Sequence, residues 1–292
     1  MKLVYHPRYD LNLGAHVFPS QKYRLVRERL LAEGIASLGD FLAPEPISEE
    51  QLLLVHDRGW VERLKNGTLG YAELARLEIP WSRETIEAIW IATGGTLLAA
   101  RLALQDGRGC NLGGGFHHAF PAHGEGFCAI NDVAVAIRVL QKEGAIEKAM
   151  VIDCDVHHGN GTAAIFAADP TVFTLSLHQF NNYPSEKPPS TVDVHLPDGV
   201  GDDEYLARLG AAIDRALAFR PGLIFYLAGA DPYCEDQLGG LALTIDGLFR
   251  RDCLVLSCGM PVAVTLAGGY ARDVEDTVTV HCNTVRAARG PR

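Results

Sequence analysis

Two aspartates and two histidines follow one apolar run, in the segment Asp153-Cys154-Asp155-Val156-His157-His158. In an extended chain Asp153, Asp155 and His157 point to the same side, so that two carboxylates and one imidazole can converge. Burying such charges without a partner is costly. Carboxylate and imidazole groups are ligands that divalent metals accept. The segment therefore predicts a metal site, and a solvated polar loop is the plainer alternative.

A histidine pair follows a glycine-rich stretch at residues 113–118, Gly-Gly-Gly-Phe-His-His. Glycines let the backbone adopt positive φ angles and approach a ligand closely. Two imidazoles that titrate near neutral pH can supply a general base and a general acid. His117 and His118 are therefore candidate catalytic residues.

Two further polar groups stand directly after apolar runs. Asp231 follows the run at 223–228, and with Asp155 and His157 it completes a set of two aspartates and one histidine. Three protein ligands with an open fourth position are typical of catalytic zinc. Tyr270 follows Gly268-Gly269. Its phenol could stabilise an oxyanion, although a core or surface aromatic is the more ordinary interpretation of a lone tyrosine.

The elements that must position these residues alternate along the chain. Strands are predicted at 3–5, 110–112, 149–153, 172–177, 223–228 and 262–267, and helices at 21–33, 49–65, 83–105, 131–143, 203–219, 246–258 and 272–288. Ser48 and Ser82 are expected N-caps. This alternation predicts an α/β fold, a parallel β-sheet with helices on both faces, in one domain over residues 1–292. Ligand sites in such sheets lie at the carboxyl ends of the strands, where all four polar clusters fall.

Composition narrows the class of protein. The 292 residues carry a formal net charge of −10, which argues against a nucleic-acid partner. No signal peptide or uninterrupted membrane-length apolar run is apparent. The seven cysteines include no CxxC pair, which disfavours a disulfide framework or a thiolate zinc site. A cytoplasmic location is expected, and the oligomeric state is not indicated.

Five motifs in order resemble the signature of the histone deacetylase superfamily, whose members share the arginase/deacetylase fold. They are GGGFHHA at 113–119, GFCAIND at 126–132, DCDVHHGNGT at 153–162, AGAD at 228–231 and LAGGY at 266–270. The resemblance extends from VYHPRYD at 4–10 through the last strand. EIP at 78–80, GNG at 159–161, DDEYL at 202–206 and DQLGGL at 236–241 are most similar to the class IV branch, including its bacterial deacetylase-like proteins.

The resemblance implies a zinc-dependent hydrolase that removes acetyl or longer acyl groups from lysine-type N-acyl amides, with one Zn²⁺ per chain. It implies these zinc ligands: Asp155, His157 and Asp231. His118 resembles the general base, His117 its partner, and Asp153 the carboxylate that orients His117. Tyr270 resembles the oxyanion donor.

The resemblance also implies residues around the substrate and a second ion. Phe127 corresponds to an aromatic wall of the acyl channel, and Gly126 to a backbone carbonyl facing the substrate amide. Asn160 stands where some members have aspartate, so that His118 should be less basic here. A potassium site is implied at Asp153, Ser176 and Leu177, with backbone carbonyls of Asp155 and His157.

Three alternatives remain beside this interpretation. A two-manganese arginase-like site would need an aspartate where Tyr233 stands. A catalytically inactive acyl-lysine binding module would be expected to lack Tyr270, a histidine or a metal ligand. A preference for acetylpolyamines is disfavoured by Leu238, where relatives with that preference have an acidic residue. An acyl-lysine peptide or protein, or a small N-acyl amine, is the expected substrate.

Overall fold

The computed structural model describes residues 1–290 and contains one eight-stranded parallel sheet in the order β2-β1-β3-β8-β7-β4-β5-β6. The strands are β1 Leu3–Val4, β2 Phe41–Leu42, β3 Arg108–Asn111, β4 Ala149–Asp153, β5 Val172–Gln179, β6 Val192–Leu196, β7 Leu223–Leu227 and β8 Val262–Thr265. The predicted α/β class with a parallel sheet is confirmed, and all six predicted strands are present.

Ten α-helices lie among these strands in the described chain. They are α1 Lys22–Ala32, α2 Glu49–Leu52, α3 Arg58–Asn66, α4 Tyr71–Leu77, α5 Arg83–Asp106, α6 Asp132–Lys142, α7 Asn160–Phe166, α8 Asp202–Ala216, α9 Ile245–Leu256 and α10 Val274–Arg289. Ser48 and Ser82 are N-caps as predicted: each hydroxyl accepts a hydrogen bond from the backbone N–H three residues later. Each bond satisfies an N–H that the first helical turn leaves free.

The prediction of one helix over 49–65 is wrong, because residues 53–57 separate α2 from α3. His56 lies in this break, and its buried ring contacts the Phe120 carbonyl and the Asn131 N–H at 3.0 Å each. A partner far along the chain thus fixes the break, and no local periodicity signals it. The structure also adds β2, β6, α4 and α7, which the sequence patterns did not predict.

The core lies on both faces of the central strands. Every residue of β4, β7 and β8 is buried, which explains why these segments show unbroken apolar runs. Helix α5 is long and apolar enough to cross a membrane by length and composition, yet 78% of its most apolar window is buried inside the protein. That burial is the arrangement of a core helix.

Candidate metal centre and catalytic site

The four polar clusters come from four neighbouring strands. Strands β3, β8, β7 and β4 are adjacent in the sheet and parallel. Their carboxyl ends therefore lie side by side, and the loops that follow them meet at one edge of the sheet. The structure brings together the residues that the sequence analysis placed after these strands.

Asp155, His157 and Asp231 form a buried triad, with one ligand atom from each within 4.8 Å of the others. The His157 Nδ1 atom lies 3.0 Å from Asp155 Oδ1 and 3.4 Å from Asp231 Oδ2. Backbone N–H groups hold both carboxylates: Val156 donates to Asp231 Oδ1 and Gly268 donates to Asp155 Oδ2. The ligand atoms are thus fixed by the backbone of the loops.

The charges in this triad are poorly compensated by the protein alone. Burial and the charge of Asp155 raise the pKa of Asp231 to about 7. Burial alone would lower the pKa of His157, but the adjacent carboxylates of Asp155 and Asp231 raise it to about 10. Ionised carboxylates are therefore crowded in a buried place, an arrangement that a bound cation would stabilise.

Two observations show that the triad fits a metal ion. Asp231 Oδ2 is buried without a hydrogen-bond partner in the described chain, and such an atom calls for an ion or water. A Cβ atom at Gly268 would lie 2.0 Å from that same oxygen and 2.4 Å from Asp155 Oδ2. Any side chain there would collide with the ligand atoms, so glycine keeps the site open.

His117 and His118 lie beside the triad with opposite tendencies to bind a proton. Burial disfavours the charged form of His117, but Asp153 and Asp155 outweigh it and raise its pKa to about 9. Burial and the charges of His117 and His157 lower the pKa of His118 well below its usual range. The two Nε2 atoms are 3.1 Å apart, so a protonated and a neutral imidazole face each other.

Each imidazole is oriented by a different partner. His117 Nδ1 lies 2.7 Å from Asp153 Oδ2. His118 Nδ1 lies 2.8 Å from Asn160 Oδ1, and Asn160 Nδ2 in turn donates to Glu125 Oε1 at 2.5 Å. No sequence motif indicates Glu125, because only the folded loop brings it to Asn160.

Tyr270 is buried on the opposite side of the site, 6.4 Å from His157 between ring centroids. Burial and the charges of Asp155 and Asp231 raise its pKa well above the usual range, so the phenol keeps its proton as a donor. Two residues that the sequence analysis did not single out hold its loop. Asp236 Oδ2 accepts from Tyr270 N–H at 2.6 Å, and Lys22 Nζ donates to the Ala267 carbonyl at 2.8 Å.

The predicted channel residues line an opening above this centre. A cavity of about 180 Å³ has Gly126, Phe127, Leu238 and Tyr270 in its wall, together with Tyr183. Phe127 packs edge-on against Tyr270 at 5.9 Å between ring centroids. Tyr183, which no motif indicated, packs edge-on against His118 at 4.9 Å. The cavity leads to His118 and His157, which also line it.

The three residues of the expected potassium site lie on adjacent strands. Asp153 ends β4 and pairs with Ser176 of β5, and Leu177 follows. Ser176 Oγ lies 3.0 Å from His178 Nδ1, and Asp153 Oδ1 accepts from Asp155 N–H. This strand pair therefore ends next to the loop that carries Asp155 and His157.

Together the parallel sheet, the buried Asp-His-Asp triad and the oriented histidine pair form a candidate hydrolase site. Residues 16–285 match the family model described as the histone deacetylase domain. The chain belongs to the histone deacetylase family, and this membership makes it a deacetylase-type hydrolase.

Individual relatives agree with this assignment. Histone deacetylase 2 of Arabidopsis thaliana is 30% identical, covering 95% of this chain and 78% of its own length. Acetoin utilization protein AcuC of Bacillus subtilis is 33% identical, covering 83% and 69%. An uncharacterised protein of Picosynechococcus is 43% identical over 98% of both chains.

A solved structure shows the same architecture. The crystal structure of the HDA15 HD domain superposes with a TM-score of 0.85 at 26% identity, covering 97% of this chain and 86% of that one. The predicted arginase/deacetylase-like fold is therefore confirmed.

Proposed function

We propose that this chain is a zinc-dependent deacylase that hydrolyses acetyl or longer acyl groups from lysine-type N-acyl amides. The observation that carries the proposal is the convergence of three elements at one site, where Asp155 and His157 of the triad line a cavity together with the histidine pair and Tyr270. They are a buried triad with an unpartnered carboxylate oxygen, a protonated and a neutral histidine, and a protonated phenol.

Asp155, His157 and Asp231 would hold one zinc ion, which when bound polarises an acyl carbonyl and acidifies water. His118, whose Nδ1 lies 2.8 Å from Asn160 Oδ1 and whose pKa is lowered, would accept the proton of the attacking water at Nε2. His117, whose pKa Asp153 raises, would stabilise the transition state and protonate the leaving amine. Tyr270 would donate a hydrogen bond to the developing oxyanion.

The substrate assignment rests on the channel. Phe127 and Leu238 give the cavity apolar wall area, and the Gly126 carbonyl would face the substrate amide. A Cβ atom at Gly126 would lie 2.8 Å from His118 Cδ2 and 2.9 Å from Tyr183 Cε1. Glycine is needed where the loop passes so close to the base. An acyl chain with a long linker fits such a cavity, as in an acyl-lysine peptide or protein or a small N-acyl amine.

The remaining parts of the proposal concern ions, partners and location. A potassium ion would be held at Asp153, Ser176 and Leu177. The single catalytic domain would act in the cytoplasm without a nucleic-acid or membrane partner, in keeping with its net charge of −10 and its mostly buried apolar helix.

Activity on a fluorogenic acetyl-lysine peptide, measured with and without a chelator, tests this function. We expect turnover that the chelator abolishes and that added zinc restores. Binding of the peptide without turnover in the zinc-loaded protein would instead favour an acyl-lysine binding module.

A further inference from the structure

A second group of metal-binding side chains lies outside the catalytic cavity, on strands β5 and β6. The histidine cluster consists of His158, His178, Asp193 and His195. In the parallel pairing of the two strands, Ser176 is opposite Asp193 and His178 is opposite His195. Side chains alternate along a strand, and paired residues share a face. His178, Asp193 and His195 therefore project from the same face of the sheet as Ser176.

His158 completes the cluster from the loop after β4. Its ring packs edge-on against His178 at 4.5 Å between centroids, and His178 packs in the same way against His195 at 4.8 Å. His158 Nε2 lies 3.1 Å from Asp193 Oδ1, and His178 Nε2 lies 2.9 Å from His195 Nδ1. One ligand atom each from His158, His178 and Asp193 lies within 4.8 Å of the other two.

These separations suit a small metal ion. Tetrahedral zinc with metal–ligand bonds of about 2.0–2.1 Å holds its ligand atoms about 3.3 Å apart. In the catalytic triad, the distances from His157 Nδ1 to the nearest carboxylate oxygens of Asp155 and Asp231 are similar, 3.0 and 3.4 Å. Small side-chain movements would therefore place one atom each of His158, His178 and Asp193 around an ion. His195, whose Nδ1 lies 2.9 Å from His178 Nε2, would turn toward the ion as the fourth ligand.

The protonation states and burial of the cluster also suit a metal. His178 is fully buried, and its Nδ1 lies 3.0 Å from Ser176 Oγ, which leaves Nε2 to face His195. Burial raises the pKa of Asp193, but hydrogen bonds from His158 and Ser190 outweigh it and keep the carboxylate ionised. His158 is fully buried, and its Nε2 is the ring atom that faces the cluster, 3.1 Å from Asp193 Oδ1.

We propose that His158, His178, Asp193 and His195 bind a second divalent transition-metal ion, separate from the catalytic one. Three imidazoles and one carboxylate favour ions such as Zn²⁺ or Co²⁺ over Mg²⁺ or Ca²⁺, which prefer oxygen ligands. His195 is exposed on β6, at the edge of the sheet, which gives the ion a route from solvent. The ion is therefore exchangeable, while the catalytic ion is enclosed.

Cobalt titration tests this proposal on protein dialysed until it retains one zinc per chain, because dialysis removes the exchangeable ion of the histidine cluster. Co²⁺ binds nitrogen and oxygen ligands more weakly than Zn²⁺, so it enters the histidine cluster before it displaces catalytic zinc. The visible absorption of Co²⁺ and isothermal calorimetry, both in potassium-containing buffer, report one added equivalent. We expect saturable binding of one Co²⁺ per chain, with zinc content unchanged.

Two variants locate that ion. His195→Ala removes an exposed ligand and Asp193→Asn removes the carboxylate; each should weaken Co²⁺ binding at least tenfold and leave the melting temperature near that of wild type. Asp203→Asn is the matched control, since its side chain is 95% exposed on α8, and should bind Co²⁺ as wild type does. Asp231→Ala should keep the cobalt site, which separates this proposal from the proposed catalytic zinc.

Absence of a saturable cobalt site in the wild-type protein would overturn the proposal. So would a site whose affinity is unchanged in both His195→Ala and Asp193→Asn, because the ion would then lie elsewhere. Neither result would decide the proposed catalytic function, which is tested separately by the zinc content and the deacylase activity.

Discussion

The substitution Glu125→Gln tests how His118 is prepared to act as a base. Glu125 Oε1 accepts a hydrogen bond from Asn160 Nδ2, and Asn160 Oδ1 faces His118 Nδ1. An ionised carboxylate only accepts hydrogen bonds, so Glu125 holds the amide group of Asn160 toward itself and the amide oxygen toward His118. His118 must then carry its proton on Nδ1 and keep its lone pair on Nε2.

Glutamine removes this restriction, because its own NH₂ group can face Asn160 and let that amide rotate. A hydrogen bond to a charged group contributes about 1.5–3 kcal/mol, and a neutral one about 0.5–1.5 kcal/mol. Loss of the charge therefore weakens the preference for this orientation of Asn160 by about 1–1.5 kcal/mol. At about 1.4 kcal/mol per tenfold in rate, we expect kcat to fall about 5- to 12-fold, with KM on an acetyl-lysine peptide nearly unchanged.

Asn160→Asp provides the corresponding rescue. An aspartate would accept directly from His118 Nδ1, so the double variant Glu125→Gln/Asn160→Asp should recover much of the kcat that Glu125→Gln loses. The nearby negative charge favours the imidazolium form, so the acidic limb of the kcat–pH profile should move to higher pH. Glu62→Gln, on an exposed helix position, is the control, and zinc content and melting temperature are measured for every variant.

Two outcomes would refute this reasoning. The first is a Glu125→Gln enzyme whose kcat stays within about twofold of wild type. The second is a rise in KM at unchanged kcat, which would place Glu125 among substrate-binding groups beside Tyr183, with which it also interacts.

Three further predictions concern turnover and substrate. Tyr270→Phe should keep the fold and the zinc but lower kcat about 10²- to 10³-fold; turnover within about threefold of wild type would remove the phenol from the mechanism. Across acetyl-, butanoyl-, octanoyl- and dodecanoyl-lysine peptides, kcat/KM should rise beyond acetyl, since each buried methylene contributes about 0.8 kcal/mol; a maximum at acetyl with a steep fall at butanoyl would contradict an extended apolar channel. Leu238→Glu should raise kcat/KM for N-acetylpolyamines relative to acetyl-lysine severalfold, measured by product amine, because it places a carboxylate at the cavity wall; an unchanged ratio would show that residue 238 does not select the substrate.

Much of the fold could be predicted because burial imposes simple patterns. Strands β4 and β7 are buried throughout and therefore appear as unbroken apolar runs. Strand β6 lies at the sheet edge with only Leu196 of its five residues buried, and β2 has two half-buried residues. Neither strand carries a pattern that distinguishes it from a loop.

The residues of the candidate site likewise include some that the sequence predicts and some that it does not. Asp155, His157 and Asp231 follow predicted strands, and the resemblance to the histone deacetylases suggests their roles. Glu125 and Tyr183 could not be found from the sequence, because each reaches the site only through the path of its loop. No spacing rule links Glu125 to Asn160, 35 residues later.

The metal content of dialysed wild-type protein and of Asp231→Ala tests the central claim most directly. Asp231 Oδ2 is an unpartnered buried ligand atom, so its removal should take away the metal and leave the fold intact. Elemental analysis should find one tightly bound zinc per wild-type chain and almost none in Asp231→Ala, with both proteins showing a cooperative melting transition. Two tightly bound metals in the wild type, or full zinc occupancy in the folded Asp231→Ala protein, would contradict the account.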